Sequence, residues 1–263
     1  MGSATLNLPL LRVSRRTRRV WQRNFDVFLR LWKTESWPPF VEPVLYLLAM
    51  GLGLGGYVGA IEGLPFLHFL APAFIATAAM FIASFECLYG SFVRMQYQKT
   101  FEAILATPLN VEEVIFGEIL WGASRATFAA AGVLVVISFF GVTQSWWALL
   151  ALPAAFLCGL LFASLAMICT ALAPSIDSFN YYITLGLTPM FLFSGVFFPV
   201  SSLPPAFQVV AWFSPLTHAV NLQRGLVLGH VEATLWFDVL WLLVAFVPAA
   251  NLALALMARR IIQ

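Results

Sequence analysis

Hydrophobic positions fill this chain in long runs with few interruptions. Apolar stretches extend from about Pro39 to Val58, Leu67 to Phe92, Val114 to Phe140, Trp146 to Leu172, Ile176 to Phe198 and Leu235 to Met257. Each is near or above the roughly 20 residues that carry a helix across a bilayer core. The pattern therefore predicts an all-α membrane protein with six spans. Ahead of them, Trp21, Phe25, Phe28 and Trp32 recur at helical spacing, while Arg19, Gln22, Arg23, Asp26, Arg30 and Lys33 occupy the other side. Such a helix is amphipathic and too polar to span. Two cytoplasmic placements suit it, a membrane surface rich in anionic headgroups or a partner protein's groove. Between the last two spans, Ala206 to Phe213 and Leu216 to Leu228 are apolar but too short to cross. Pro204, Pro205 and Pro215 stand where the first turn of a helix tolerates proline. Two short helices on the outer leaflet, or dipping into it, are expected.

Composition supports the membrane reading. Hydrophobic residues make up 61% of the chain and charged residues 10%, against roughly 45–50% and about 25% in a soluble domain. The expectation is one membrane domain over 1–263, with 1–37 a cytoplasmic amphipathic segment and 38–263 a six-span core. The net charge of +2 hides an asymmetry that sets topology. Arg12, Arg15, Arg16, Arg18, Arg19, Arg23, Arg30 and Lys33 precede the first span, Arg94 and Lys99 follow the second, and Arg259 and Arg260 follow the sixth. With both termini inside, only Arg125 and Arg224 of the fourteen basic residues lie elsewhere, as short cytoplasmic segments require. Trp146, Trp147 and Trp236 at outer span ends and Trp37 at the inner edge suit interfacial anchors. The basic N-terminus lacks the apolar core and cleavage pattern of a signal peptide, so the first span is expected to stay attached.

Candidate chemistry is sparse. Gly51, Gly53 and Gly56 match a dinucleotide-binding spacing, but no strand precedes them and a span surrounds them. Gly51, Gly55 and Gly59 recur every fourth residue, which reads as close helix packing. No P-loop or metalloprotease pattern is present in the sequence. His68, His218 and His230 read as ordinary polar histidines, and Cys87, Cys158 and Cys169 as small apolar fillers. No catalytic residue and no metal site is assigned.

The most specific segment runs from Arg94 to Glu118. Phe101, Ile104 and Leu105 form the apolar side of a short helix that also carries Lys99 and Glu102, and Pro108 ends it. Asn110 is positioned to cap the next helix, with Glu113 in capping-box position and Glu112 beside it at the positive end of the helix dipole. The run from Thr100 to Leu109, followed by Glu112, Glu113 and Gly117, resembles the coupling-helix signature of type-2 ABC exporter permeases. Glu42-Pro43, the glycines from Gly51 to Gly56, and Ser214-Pro215 ahead of Arg224 extend the resemblance over nearly the whole chain. Glu42 to Tyr46 and Gly51 to Gly55 look most like the nodulation-protein J branch, associated with lipo-oligosaccharide export.

The resemblance implies a permease in a bacterial inner membrane, working as a pair with two copies of a separate ATPase that binds ATP and magnesium. Lys99, Thr100, Phe101, Glu102, Ile104, Leu105, Thr107, Pro108, Glu112 and Glu113 would couple to that ATPase. The chain itself would be no enzyme, need no cofactor and bind no nucleic acid. An amphiphilic substrate would pass at the pair's axis, chiefly along spans two and five. Asn180, Thr184, Thr188, Phe191 and Ser194 share one helical face of span five and suit either a pathway lining or hydrogen bonds between packed helices. Glu86, Glu118 and Arg125 are costly in hydrocarbon and are expected to form an ion network. The alternative from another class is an ion-coupled secondary transporter using Glu86 and Arg125.

Overall fold

The structure is a computed structural model that describes residues 10, 13–35, 41 and 44–262. Arg12, Trp37, Pro39, Glu42, Pro43 and Gln263 lie outside them. Helix α1 covers Thr17–Glu35. Helix α2, Val44–Val58, is wound as a π-helix over Leu47–Leu54. A hairpin pairs β1, Ala60–Ile61, antiparallel with β2, Leu64–Pro65. Its turn residues Glu62 and Gly63 have φ of 52° and 78°, the geometry whose twist matches paired strands. Then come α3, Phe66–Tyr97, α4, Thr100–Leu105, α5, Val111–Phe139, and α6, Trp146–Leu172. A helical run over 179–193 forms α7, followed by α8, Pro205–Trp212, α9, Pro215–Leu228, and α10, Thr234–Ile262.

Among the described residues, α3, α5, α6 and α10 are the four helices long and apolar enough to cross a membrane. The helices described at the other two predicted spans, α2 and α7, fall short of that length within the described residues. Helix α7 stops at Phe193 rather than Phe198, because Gly195 at φ 79° turns the chain away. The second predicted span is longer, reaching Tyr97 instead of Phe92, so Arg94 belongs to its last turns and not to a loop.

Helices α3, α5 and α6 form the centre. Ala76, Ala79 and Ala83 of α3, Ala123, Ala126 and Ala130 of α5, and Ala163 and Ala166 of α6 have no exposure. A Cβ on Gly159 would stand 2.9 Å from Ala123 Cα, and one on Gly122 would stand 3.0 Å from Cys87 Sγ. Small residues let the backbones approach, which is how helices associate where lipid removes the hydrophobic drive. The glycine spacing of α2 works differently from the expectation. A Cβ on Gly51 would strike the side chain of Leu67, whereas Gly55 and Gly59 face open space.

Helix α9 packs into the bundle against α3, α6 and α10, with Leu216, Val220 and Val227 fully buried. Gln223 of α9 donates to the carbonyl of Ala151 at 3.0 Å. Helix α8 keeps its apolar side outward, with Phe207, Val210 and Phe213 beyond it exposed. Helix α1 lays its aromatic stripe largely along α5 of the same chain. Phe28 packs edge-on against Trp121 and Phe128 at 5.8 and 5.5 Å, and Trp21 donates through Nε1 to Ser124 at 2.9 Å. Three of its four aromatic residues thus lie against α5 of the same chain, and Trp32 alone of the four is exposed.

Candidate functional site

The connection between α3 and α5 is built from both ends. Lys99 adopts a left-handed backbone, φ 54° and ψ 25°, which turns the chain out of α3 into α4. Phe101 then points inward, 1% exposed, with Ile104 and Leu105 packed partly against the same core. This corrects the reading of Phe101 as an anchor for another protein, because the residue already has its burial within this chain. The outward face of the connection carries Lys99, Glu102, Ala103, Ala106, Thr107 and Pro108. Lys99 and Glu102 pair there at 2.8 Å, both largely exposed, so the pair itself adds little stability. Thr100 is half-buried.

The capping box at the start of α5 is present, with the Asn110 backbone N–H donating to Glu113 at 2.9 Å. Glu113 is nonetheless buried, and its other oxygen accepts from the hydroxyl of Ser14. Arg16 donates to the carbonyl of Pro108 at 2.7 Å. The arm preceding α1 therefore fastens the connection, a link that sequence spacing did not reveal. Glu112 is half-buried beside it.

Behind the connection lies the ion network. Arg94 donates to Glu118 through Nε at 2.9 Å and Nη2 at 2.5 Å, and to Glu86 through Nη2 at 2.9 Å. Glu118 has no exposure and also accepts from Ser91 and from Asn24 of α1, each at 2.8 Å. Glu86 accepts from Trp121 Nε1 at 3.1 Å. Arg125 Nε stands 3.9 Å from Glu86, and its guanidinium lies over the Phe28 ring at 4.8 Å. Glu86, Glu118 and Arg125 are thus gathered as expected, but Arg94 holds the centre. Its signal was readable: Glu86, Gly90 and Arg94 follow at four-residue steps. A Cβ on Gly90 would come within 2.8 Å of the Glu86 carboxylate, so glycine leaves room for the pair to pass. Arg23 of α1 borders the network through Asn24 at 2.9 Å. Burial pulls its pKa below the ordinary arginine value and Arg94 adds to this, against the opposing pull of Glu118.

The predicted stripe on α7 divides. Asn180, Thr184 and Thr188 are exposed, while Phe191 packs against Phe81 and Phe197, and Ser194 is buried against Ser214 at 2.7 Å. Phe191 stands in the last turn of α7, and Ser194 lies beyond its end at Phe193, where the chain turns at Gly195.

His218 also differs from the expectation of a surface histidine. It is 3% exposed, bonded through Nδ1 to Asp238 at 2.7 Å and through Nε2 to the carbonyl of Trp212 at 2.8 Å. His68 meets Gln144 at 3.1 Å, and His230 is exposed. Arg224, outside every predicted site, lies 3.8 Å from the centre of the Phe69 ring and donates to the carbonyls of Phe69 and Gly195. Among the described residues, no group of three or more histidine, cysteine or acidic side chains is placed to hold a metal.

Comparison with known proteins bears on this arrangement. The family model described as "ABC-2 type transporter" matches residues 15–228. Nodulation protein J of Rhizobium leguminosarum bv. trifolii is 42% identical over 245 residues, 93% of either chain. The protein of that name from Rhizobium meliloti is 43% identical over 80% of either chain. The inner membrane transport permease YadH of Escherichia coli is 26% identical over 80% of this chain and 82% of that one.

Proposed function

We propose that this chain, which belongs to the ABC-2 type transporter family as a membrane permease, exports an amphiphile such as a lipid-linked or lipo-oligosaccharide. ATP is hydrolysed with magnesium on separate ATPase subunits, two of them serving a pair of permease copies. The chain supplies the path and the mechanical coupling, and performs no covalent chemistry. In this reading α2 and α7 complete six spans in a bacterial inner membrane, both termini are cytoplasmic, and Asn180, Thr184 and Thr188 face the path. The choice of lipo-oligosaccharide follows the resemblance to the nodulation-protein J branch.

One observation carries the coupling role. The connection exposes Lys99, Glu102, Ala103, Ala106 and Thr107, while Phe101 and Glu113 root it in the protein. Immediately behind it, Arg94 ties α3 to α5. A push on the outward face therefore moves both long helices instead of being absorbed in a loose loop. Glu86 and Arg125 are engaged in the same network, which favours a structural role over a gradient-coupled transport site.

The test is ATP-dependent transfer of a fluorescent lipo-oligosaccharide in proteoliposomes that contain the chain and its copurifying ATPase. Transport is expected with ATP and none with a proton gradient alone. Transport driven by the gradient without an ATPase would falsify the exporter reading.

A further inference from the structure

A groove of about 920 Å³ lies between α1, α5 and α6, apart from both the connection and the α7 stripe. Arg15, Arg18 and Arg19 stand exposed at one end, and among the described residues no carboxylate lines it. Thr17 lines the same end and is 3% exposed, yet its hydroxyl has no hydrogen-bond partner among the described residues. A buried hydroxyl left unmet is costly and marks a place where a partner belongs.

From that end the wall becomes apolar, along Phe116 and Leu120 of α5 to Phe156 of α6. The depth follows from the packing. Gly159 seats on Ala123 and Ala126, and α6 runs antiparallel to α5. Phe156, a turn nearer the start of α6, therefore sits beyond Ala126, roughly 15 Å along α5 from Gly117, where the basic end touches α5. A basic pole with a vacant hydroxyl, continuous with an apolar wall of that length, matches an amphiphile with an anionic head.

We propose that this groove is a binding site for an anionic phospholipid. The phosphate lies among Arg15, Arg18 and Arg19 and accepts from the Thr17 hydroxyl, and an acyl chain follows Phe116, Leu120 and Phe156. Clustered basic side chains at a membrane surface each favour anionic lipid. The site also reaches the connection, because Ser14 and Arg16 of the same arm hold Glu113 and the Pro108 carbonyl. Bound lipid orders that arm and so steadies the segment it fastens.

The experiment titrates the full chain, delipidated in detergent, with phosphatidylglycerol, phosphatidylcholine or inorganic phosphate, and counts bound molecules by native mass spectrometry. Saturable, preferential binding of phosphatidylglycerol is expected. The combined Arg15→Gln, Arg18→Gln and Arg19→Gln variant should weaken it on the order of a hundredfold. Thr17→Val provides a second reading, since it keeps the packing volume and removes only the hydroxyl; weaker phosphatidylglycerol binding with a lipid-free melting temperature that does not fall supports the site. Equal binding of phosphatidylcholine, or undiminished phosphatidylglycerol binding by the triple variant, overturns the proposal. Inorganic phosphate bound as tightly as phosphatidylglycerol overturns the lipid assignment, because the acyl groove would then contribute nothing.

Discussion

Arg94 directs both its Nε and one Nη at a single oxygen of Glu118, at 2.9 and 2.5 Å, joining the end of α3 to a carboxylate of α5 that has no exposure. Breaking a buried pair from one side leaves an uncompensated charge, which typically costs about 3–5 kcal/mol. Arg94→Leu should therefore lower the melting temperature in detergent sharply. The paired change Arg94→Leu with Glu118→Leu should recover part of the loss. A double variant no more stable than the single one would show that Arg94 acts through packing and not through its charge.

The two faces of the connection should separate in experiment. Phe101→Ala removes an aromatic ring with 1% exposure, a change worth about 3–5 kcal/mol in a core, and should reduce folded yield first. Ala103→Arg alters only the outward face, so insertion and melting should be preserved while ATP-driven transport falls. Normal transport by a well-folded Ala103→Arg protein would remove α4 from the coupling path.

Asp238 and His218 share a hydrogen bond at 2.7 Å inside the protein. Asp238→Ala strands the His218 ring nitrogen, and an unmet buried polar group costs about 1–3 kcal/mol. Thermal unfolding should register that loss. His218→Phe together with Asp238→Leu, which removes both polar partners, should be milder than Asp238→Ala alone.

Glycines on α6 and α2 should respond in opposite ways to alanine. A Cβ at Gly159 meets the Ala123 backbone at 2.9 Å, whereas nothing lies within 4 Å of one at Gly53. Gly159→Ala should destabilise by about 1–3 kcal/mol through overpacking, and Gly53→Ala should be tolerated. Comparable melting temperatures for the two variants would contradict the close α5–α6 crossing.

Orientation can be read by cysteine labelling. Gln98 and Ser202 are both exposed, before α4 and before α8. Gln98→Cys should react only from the cytoplasmic side and Ser202→Cys only from outside. Reaction of both from one side would overturn the arrangement of the spans.

The sequence by itself determined what is local in origin. Uninterrupted apolar runs give membrane helices, because a spanning backbone has to satisfy its own hydrogen bonds. Pro205 and Pro215 start short helices and Asn110 with Glu113 caps α5, each effect acting within one turn. The run from Thr100 to Leu109 likewise marked the connection, since its composition and its proline are features of a single short helix.

Tertiary structure decided which partner each face receives. Arg94 meets Glu118 across 24 positions, Asn24 meets Glu118 across 94, and His218 meets Asp238 across 20. Periodicity can assign a side chain to a face but cannot say what packs there. That is why Phe101 and the α1 aromatics read as seeking an outside surface, although this chain buries Phe101 and lays Trp21, Phe25 and Phe28 against α5. Ser194 left the predicted face because α7 ends at Phe193 and the chain turns at Gly195. Periodicity carries a face forward along the chain, and only the folded backbone fixes where the helix stops.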